Sequence, residues 1–309
     1  MSKLRNTFLR FRTAFANMTH LDEHLHESIR FEILRERMAE RVLTCTERGV
    51  TDTAYGPEPL IVTLTTHGNR INTVFQSVES IFMQTCKANR VVLHLSEDEF
   101  REEDLPVTLQ RQMARGLEVR FVRDVGPQTK LVPALQAFPE ALLVTIDDDV
   151  FYPIYTLERL IRLHRDHPGD VCCTVSRMLA RSGDRGLKPF NDCIFTSLKK
   201  PASSMNYLAE GFAGVLYPPH CLHPDVVRDD LFRKLSPLAD DLWFKAMEIR
   251  QGTKVCQMPG TNWMFYWTYV ADATVQAEGL FHKNLYAGKN DEQLKALFDY
   301  YDLYDKLEG

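Results

Sequence analysis

Five aspartates stand in two groups able to do chemistry together: Asp147-Asp148-Asp149 in LLVTIDDDVFYP and Asp240-Asp241 at the start of DDLWFKAMEIRQG. Adjacent carboxylates repel one another, so three in a row after the apolar run Leu142 to Ile146 need something to answer their charge. Carboxylate oxygen is the preferred donor for hard divalent cations, and Mg²⁺ takes only one or two carboxylates, leaving its other positions to water and phosphate. A cation held there can bridge a diphosphate and stabilise the charge that develops as it leaves. A spare carboxylate can accept hydrogen bonds from ribose hydroxyls. A carboxylate at the start of a helix, as Asp241 is placed, can take a proton from an attacking hydroxyl as a general base.

Simpler readings stand beside this one. Aspartate favours helix N-caps and the positive end of the helix dipole, and one of the Asp240-Asp241 pair is expected to cap its helix. A phosphatase of the haloacid dehalogenase type also ends an apolar strand in Asp-x-Asp. That motif wants Thr or Val two residues after the second Asp, where this chain has Phe151, and it opens its domain, whereas three strands come first here.

Those three strands are LIVTLTT from Leu60, RVVLHLS from Arg90 to Ser96, and LEVRFVRD from Leu117, and ALLVTID is a fourth. Helical spacing falls between them, over Ile71 to Gln84, Glu102 to Gly116 and Lys130 to Phe138. Strand and helix in alternation predict a mostly parallel α/β sheet flanked by helices. Ligands in such sheets bind beyond the carboxyl ends of the strands, so the loops after Thr66, Ser96, Asp124 and Ile146 share one edge with the three aspartates.

The second half is less regular. Tyr155 to His167 reads as a helix, VCCTVSRM as one strand, and Arg181 to Ser204 as loop-rich. A helix is expected from Asp240 to about Arg250, with Gly252 as its C′ residue, and a last one over Asn290 to Leu307. EGFAGVLYPP carries two glycines, which permit either close backbone approach to a pocket or a tight core turn.

Before Leu60 the chain has a different character. Leu4, Phe8, Phe11, Phe15 and Met18 recur at helical spacing among Lys3, Arg5, Arg10 and Arg12, and a second helix runs from about Thr19 towards Val42. These helices can pack on the main domain, or residues 1–20 can dock on an anionic membrane as a basic amphipathic surface. Glu47 to Pro59 reads as a linker. The expected division is a helical extension over 1–55, the sheet domain over 56–289 and a C-terminal helix over 290–309.

Composition narrows the class. A net charge of −5 argues against a general nucleic-acid binder. Seven cysteines without a CxxC pair suit a reducing cytoplasm, with peripheral contact at the inner face of the membrane as the extension of that reading. There is no apolar run of membrane-spanning length.

The segments LTTHGNRI, TIDDDVFYP, GVLYPP and ADDLWFKAM, in this order, resemble bacterial glycosyltransferases of the GT-A fold, related to the inverting family 2 enzymes of polysaccharide and lipopolysaccharide synthesis. In that group an Glu-Asp pair precedes a Gly by eleven residues, and Asp241 precedes Gly252 by the same interval, with Asp240 in place of Glu. The resemblance covers roughly Leu60 to Leu307. It implies a Rossmann-like nucleotide-diphospho-sugar fold and transfer of a sugar from a nucleotide donor, a UDP-sugar by expectation, to a glycan or glycolipid hydroxyl with inversion. It further implies Mn²⁺ or Mg²⁺ on Asp149 and Asp147. Thr65, Thr66, Arg70, Lys130, Asp147 and Asp148 would meet the nucleotide, ribose or diphosphate. Asp241 would be the base, with Asp240 as its neighbour or substitute. His282 stands where some of these enzymes place a further metal ligand, and WMFYWTY (Trp263 to Tyr269) would stack on sugars or fill a core strand. The alternative is a non-catalytic protein of the same fold that binds glycan or scaffolds an assembly.

Overall fold

Runs of apolar and β-branched residues with no charge inside them can be covered on both faces, and Leu60–Thr65 and Leu142–Thr145 are such runs. The computed structural model of the protein describes residues 29–183, 185–260, 268–269 and 288–308. In it β1 (Leu60–Thr65), β2 (Arg90–Ser96), β3 (Leu117–Val122) and β4 (Leu142–Thr145) form a parallel block in the order β3-β2-β1-β4. Parallel neighbours need a crossover, and these are supplied by α2 (Phe75–Phe82), α3 (Val107–Met113) and α4 (Val132–Ala137), the label α1 being kept for the helix at 29–44.

Each expected crossover helix is shorter than its hydrophobic spacing suggests, and its first part is a 3₁₀ turn. Gly68–Asn72, Glu102–Asp104 and Gly126–Lys130 take that form. In the second case the cause is Pro106, which holds Leu105 extended and restarts the chain as α3.

Past β4 the sheet continues as β10 (Val215–Tyr217), β6 (Val171–Cys173), β11 (Val255–Gln257) and the edge strand β8 (Ala202–Ser204). β10 is antiparallel to both β4 and β6, and β8 is antiparallel to β11. Six of the eight strands therefore point one way, which is the mostly parallel α/β sheet expected. VCCTVSRM is not one strand. It leaves the main sheet after Cys173 and re-forms as β7 (Ser176–Met178), paired with β9 (Tyr207–Ala209) in a separate ribbon. A third ribbon pairs β5 (Val150–Phe151) with β12 (Thr268–Tyr269).

Two apolar layers enclose the sheet. On one face α5 (Thr156–Asp166) lays Leu157, Leu160, Ile161 and Leu163 on a core shared with β1 and β2. On the other, α6 (Asp229–Leu235), α7 (Asp240–Gln251) and α8 (Lys289–Tyr301) share a core containing Trp243, Phe244, Leu297 and Phe298. α7 ends at Gly252 with φ +79°, the left-handed C-cap that its spacing called for. α8 stops at Tyr301, since Asp302 turns left-handed at φ +52°, and only a 3₁₀ turn, Tyr304–Lys306, follows.

α1 packs on the sheet domain. Met38 meets Phe151, with Phe31, Leu34 and Met83 around them, and Arg41 reaches the buried Glu79 at 3.3 Å. The stretch read as a linker is tied down too. Gly49 and Thr51 donate backbone hydrogen bonds to Arg115 and Ala88, and a Cβ at Gly49 would fall 2.1 Å from the Phe82 ring. The basic segment 1–20, the expected start of the second helix, His282 and most of the WMFYWTY cluster lie outside the described residues.

Candidate active site

β1 and β4 are register neighbours, Thr63 opposite Thr145, so whatever follows their carboxyl ends must meet. What meets is Thr66 with Asp148. The Thr66 hydroxyl donates to Asp148 Oδ2 at 2.5 Å. Arg70, carried on the 3₁₀ turn after β1, places Nη2 at 2.6 Å from Asp148 Oδ1 and 2.5 Å from Asp149 Oδ2. Thr65 faces elsewhere, its hydroxyl donating to the His94 carbonyl of β2 at 2.9 Å.

Asp147 belongs to the second group. Lys130, the last residue of the 3₁₀ turn before α4, donates to Asp147 Oδ1 at 2.9 Å. The same Nζ lies 2.9 Å from Asp240 Oδ2 in an ion pair, and its turn is held over β1 by a hydrogen bond of 2.6 Å from Thr63 Oγ1 to the Lys130 carbonyl. Burial opposes a charge on Lys130, but Asp147, Asp240 and Asp241 push its pKa well above the ordinary lysine value. The two acidic groups, far apart in sequence, are thus joined through one ammonium.

Neither Asp240 nor Asp241 is the N-cap of α7, contrary to the capping expectation. Ala239 holds that place, without a side-chain capping bond, and the aspartates occupy the first turn. The loop before the helix is fixed instead by Gln128, whose amide donates to the Ser236 carbonyl at 2.8 Å, and by Gln293, which accepts from Leu238 N at 2.9 Å. Asp241 accepts a hydrogen bond of 3.1 Å from Gly211 N. A side chain at Gly211 would put its Cβ 2.5 Å from Asp241 Oδ1 and 2.9 Å from Lys130 Nζ, so this glycine of EGFAG is a close-approach residue. Gly214, at φ +92°, makes the turn into β10.

Several contributors have no signal in spacing alone. Tyr152 OH accepts from Asp147 N and donates to the Phe212 carbonyl, both at 2.8 Å, tying the aspartate loop to the glycine loop. Ser77 and Ser80 of α2 accept from the backbone N–H groups of Val150 and Tyr152 at 3.1 Å, which satisfies buried donors in and just after β5. Glu210, beside Gly211, is paired with Arg177 at 2.5 Å, and the Arg177 guanidinium lies 4.0 Å from the Phe195 ring centroid. A polar side chain among apolar ones marks Tyr152 only once its partners are known.

Five carboxylates face two cations, and the titration of the site reflects that deficit. Burial first, then the neighbouring Asp148, pushes Asp149 up to about 7. Burial likewise raises Asp148 and Asp240 against the pull of Arg70 and Lys130, and burial together with Asp240 lifts Asp241 well above the usual carboxylate range. An all-oxygen donor set with negative charge left unanswered fits a hard divalent cation. The three adjacent aspartates do not converge as a three-ligand cage, because Arg70 draws Asp148 and Asp149 one way and Lys130 draws Asp147 the other. The residues therefore fit a cation held by one or two carboxylates and completed by a ligand's phosphate oxygens.

No protein-family model matches the chain, and no curated protein matches it. Solved structures do. Residues 1–349 of TarS from S. aureus, solved alone and with UDP, are 15% identical over 68% of this chain and 59% of that one, with a TM-score of 0.44. The mannosyltransferase PcManGT from Pyrobaculum calidifontis, solved with GDP-Man and Mn²⁺, is 14% identical over 76% of this chain and 64% of that one, with a TM-score of 0.41. The chain spans less than two thirds of the length of either. These are distant similarities, and the chemistry of the site rests on its own geometry.

Proposed function

We propose that the protein is a metal-dependent glycosyltransferase that moves a sugar from a nucleoside diphosphate donor, a UDP-sugar first among them, to a hydroxyl of a glycan or glycolipid with inversion. The observation that carries this reading is Lys130 between Asp147 and Asp240. It joins the Asp147 loop and the Asp240-Asp241 turn at the carboxyl edge of a mostly parallel sheet, which supports a cation-and-diphosphate group beside a base group.

The division of labour follows from the contacts. Asp149 and Asp147 would hold the cation, and Mn²⁺ or Mg²⁺ there would supply neutralisation of the departing diphosphate. Arg70 holds Asp148 and Asp149 in place and offers its remaining N–H groups to the nucleotide side; its Nε is buried with no hydrogen-bond partner among the described residues. Asp148, fixed by Thr66 and Arg70, is the orienting carboxylate of the ribose side. Asp241 takes the acceptor proton. Its raised pKa makes it a stronger base than an exposed carboxylate, and the Gly211 N–H fixes its orientation.

The test is release of nucleoside diphosphate from a panel of UDP- and GDP-sugars with Mn²⁺, in wild type, Asp149→Ala and Asp241→Asn. Metal-dependent turnover that falls by orders of magnitude in both variants supports the reading. Turnover unchanged in both, or nucleotide binding with no turnover of any donor, overturns it.

A further inference from the structure

The parallel strands have a second end. β6 points the same way as β4, so Asp170, just before Val171, lies at the edge of the sheet opposite Asp147. α5 ends on His167, and Asp170 N donates to the His167 carbonyl at 3.2 Å, closing a turn that brings the two side chains to 3.8 Å between Nδ1 and Oδ2. Cys256 of β11 is in register with Cys172 on one side and Ser203 on the other, and it shares the apolar layer under α5. Among the described residues, His167, Asp170 and Cys256 are the one set of three whose imidazole nitrogen, carboxylate oxygen and sulfur all lie within 4.8 Å of one another.

We propose that these three residues bind a borderline transition-metal cation of the zinc class, which fastens strands β11 and β8 to the α5–β6 turn. The donor set is mixed nitrogen, oxygen and sulfur, the chemistry of zinc and not of Mg²⁺ or Ca²⁺. In a tetrahedral zinc site, bonds of about 2.0–2.3 Å hold ligand atoms roughly 3.2–3.8 Å apart, so the cluster needs only a small side-chain closure. Sulfur is the buried floor, since Cys256 is shielded from solvent, while the His167 and Asp170 side chains, 32% and 21% exposed, form the mouth. The Ser203 hydroxyl touches all three donors: it donates to Asp170 Oδ2 at 2.5 Å, stands 3.5 Å from His167 Nδ1 and hydrogen-bonds the Cys256 side chain, so it holds them together. The charged neighbours of Cys256 are Asp170 and Asp166, both acidic, and among the described residues the ion pair of Asp170 is with His167. The fourth position is left to water. This site shares no residue with the aspartate cluster and does not depend on the transferase reading.

Co²⁺ serves as the probe because only a sulfur ligand gives a thiolate-to-cobalt charge-transfer band, which an all-carboxylate site cannot produce. One equivalent of Co²⁺ added to the reduced full-length protein is expected to give that band, and Zn²⁺ is expected to bleach it. The band is lost in Cys256→Ala. In His167→Gln, a change at a half-exposed position that leaves the core untouched, Co²⁺ affinity falls by about 10-fold or more. A folded wild-type protein that shows no thiolate band overturns the proposal. So does a band that persists in Cys256→Ala, or one unaffected by His167→Gln.

Discussion

Arg70 meets Asp149 at 2.5 Å and yet leaves its pKa pushed up to about 7. The guanidinium is shared with Asp148, and the burial of both carboxylates outweighs what one cation returns. In the absence of metal the loop is therefore held against its own charge.

That tension has a direction with pH. The folded pKa of Asp149 lies above its unfolded value of 3.8, so the folded state binds the extra proton, and stability falls as pH rises from about 4 towards 7. Asp149→Asn is expected to raise the stability of the metal-free protein at pH 8 by about 1–2 kcal/mol, or roughly 2–5 °C in Tm. The gain should vanish at pH 4. Calorimetry of both proteins at the two pH values checks this, and equal Tm at pH 8 would contradict it.

Removing the cation between the two acidic groups acts the other way. Lys130→Met leaves Asp147, Asp240 and Asp241 facing one another without a counter-charge and is expected to cost about 3 kcal/mol in urea unfolding at pH 7.5. Because these carboxylates can take up protons, the cost shrinks at pH 5. A pH-independent loss would mean that packing of the lysine stem, not charge, is what the variant removes.

Asp241→Asn keeps the shape and removes the proposed base. Transfer should fall by about 10²–10⁴-fold, while nucleotide binding measured by calorimetry stays within a few-fold of wild type. In wild type, transfer should increase with pH as Asp241 ionises, its pKa being raised by burial and by Asp240. A flat pH profile, or equal loss of binding and transfer, would remove Asp241 from that role.

Gly211→Ala tests the close approach. The new methyl would overlap Asp241 Oδ1 at 2.5 Å, so the carboxylate must rotate off the Gly211 N–H. Transfer is expected to drop at least about 10-fold, since the proposed base moves and Lys130 Nζ, 2.9 Å from the new methyl, must shift with it. Wild-type kcat in this variant would show that Asp241 needs no such anchor.

How much of this was legible from residues alone depends on range. β1, β2 and β4 follow from β-branched runs, and their common edge follows from the alternation with helices, so the meeting of Thr66 and Arg70 with Asp148 and Asp149 could be anticipated, whereas Asp147 turns to Lys130. Local pattern also gave α5 and the Gly252 stop. It failed where a distant partner decides. VCCTVSRM has the composition of one strand, but Cys173 pairs with β10 and Ser176 with β9, and the chain bends between them. Spacing alone makes one of the Asp240-Asp241 pair a cap, the commonest use of an aspartate there, whereas Lys130 claims the Asp240 carboxylate from the other half of the sheet. Tyr152 offered no spacing at all; its value lies in two backbone groups, Asp147 N and Phe212 O, that only the folded chain brings to its hydroxyl.

The reversed strand β10 sets the order of assembly. It is inserted between β4 and β6, both of which leave the ribosome earlier. A nascent chain ending before Val215 carries β4 with one side unpaired, an open edge able to recruit strands from other chains. The loop that anchors Asp241 arrives together with the strand that closes this gap. β11 and the Asp240-Asp241 pair come later still, so a truncated or stalled product exposes an open sheet edge before Asp240 can meet Lys130.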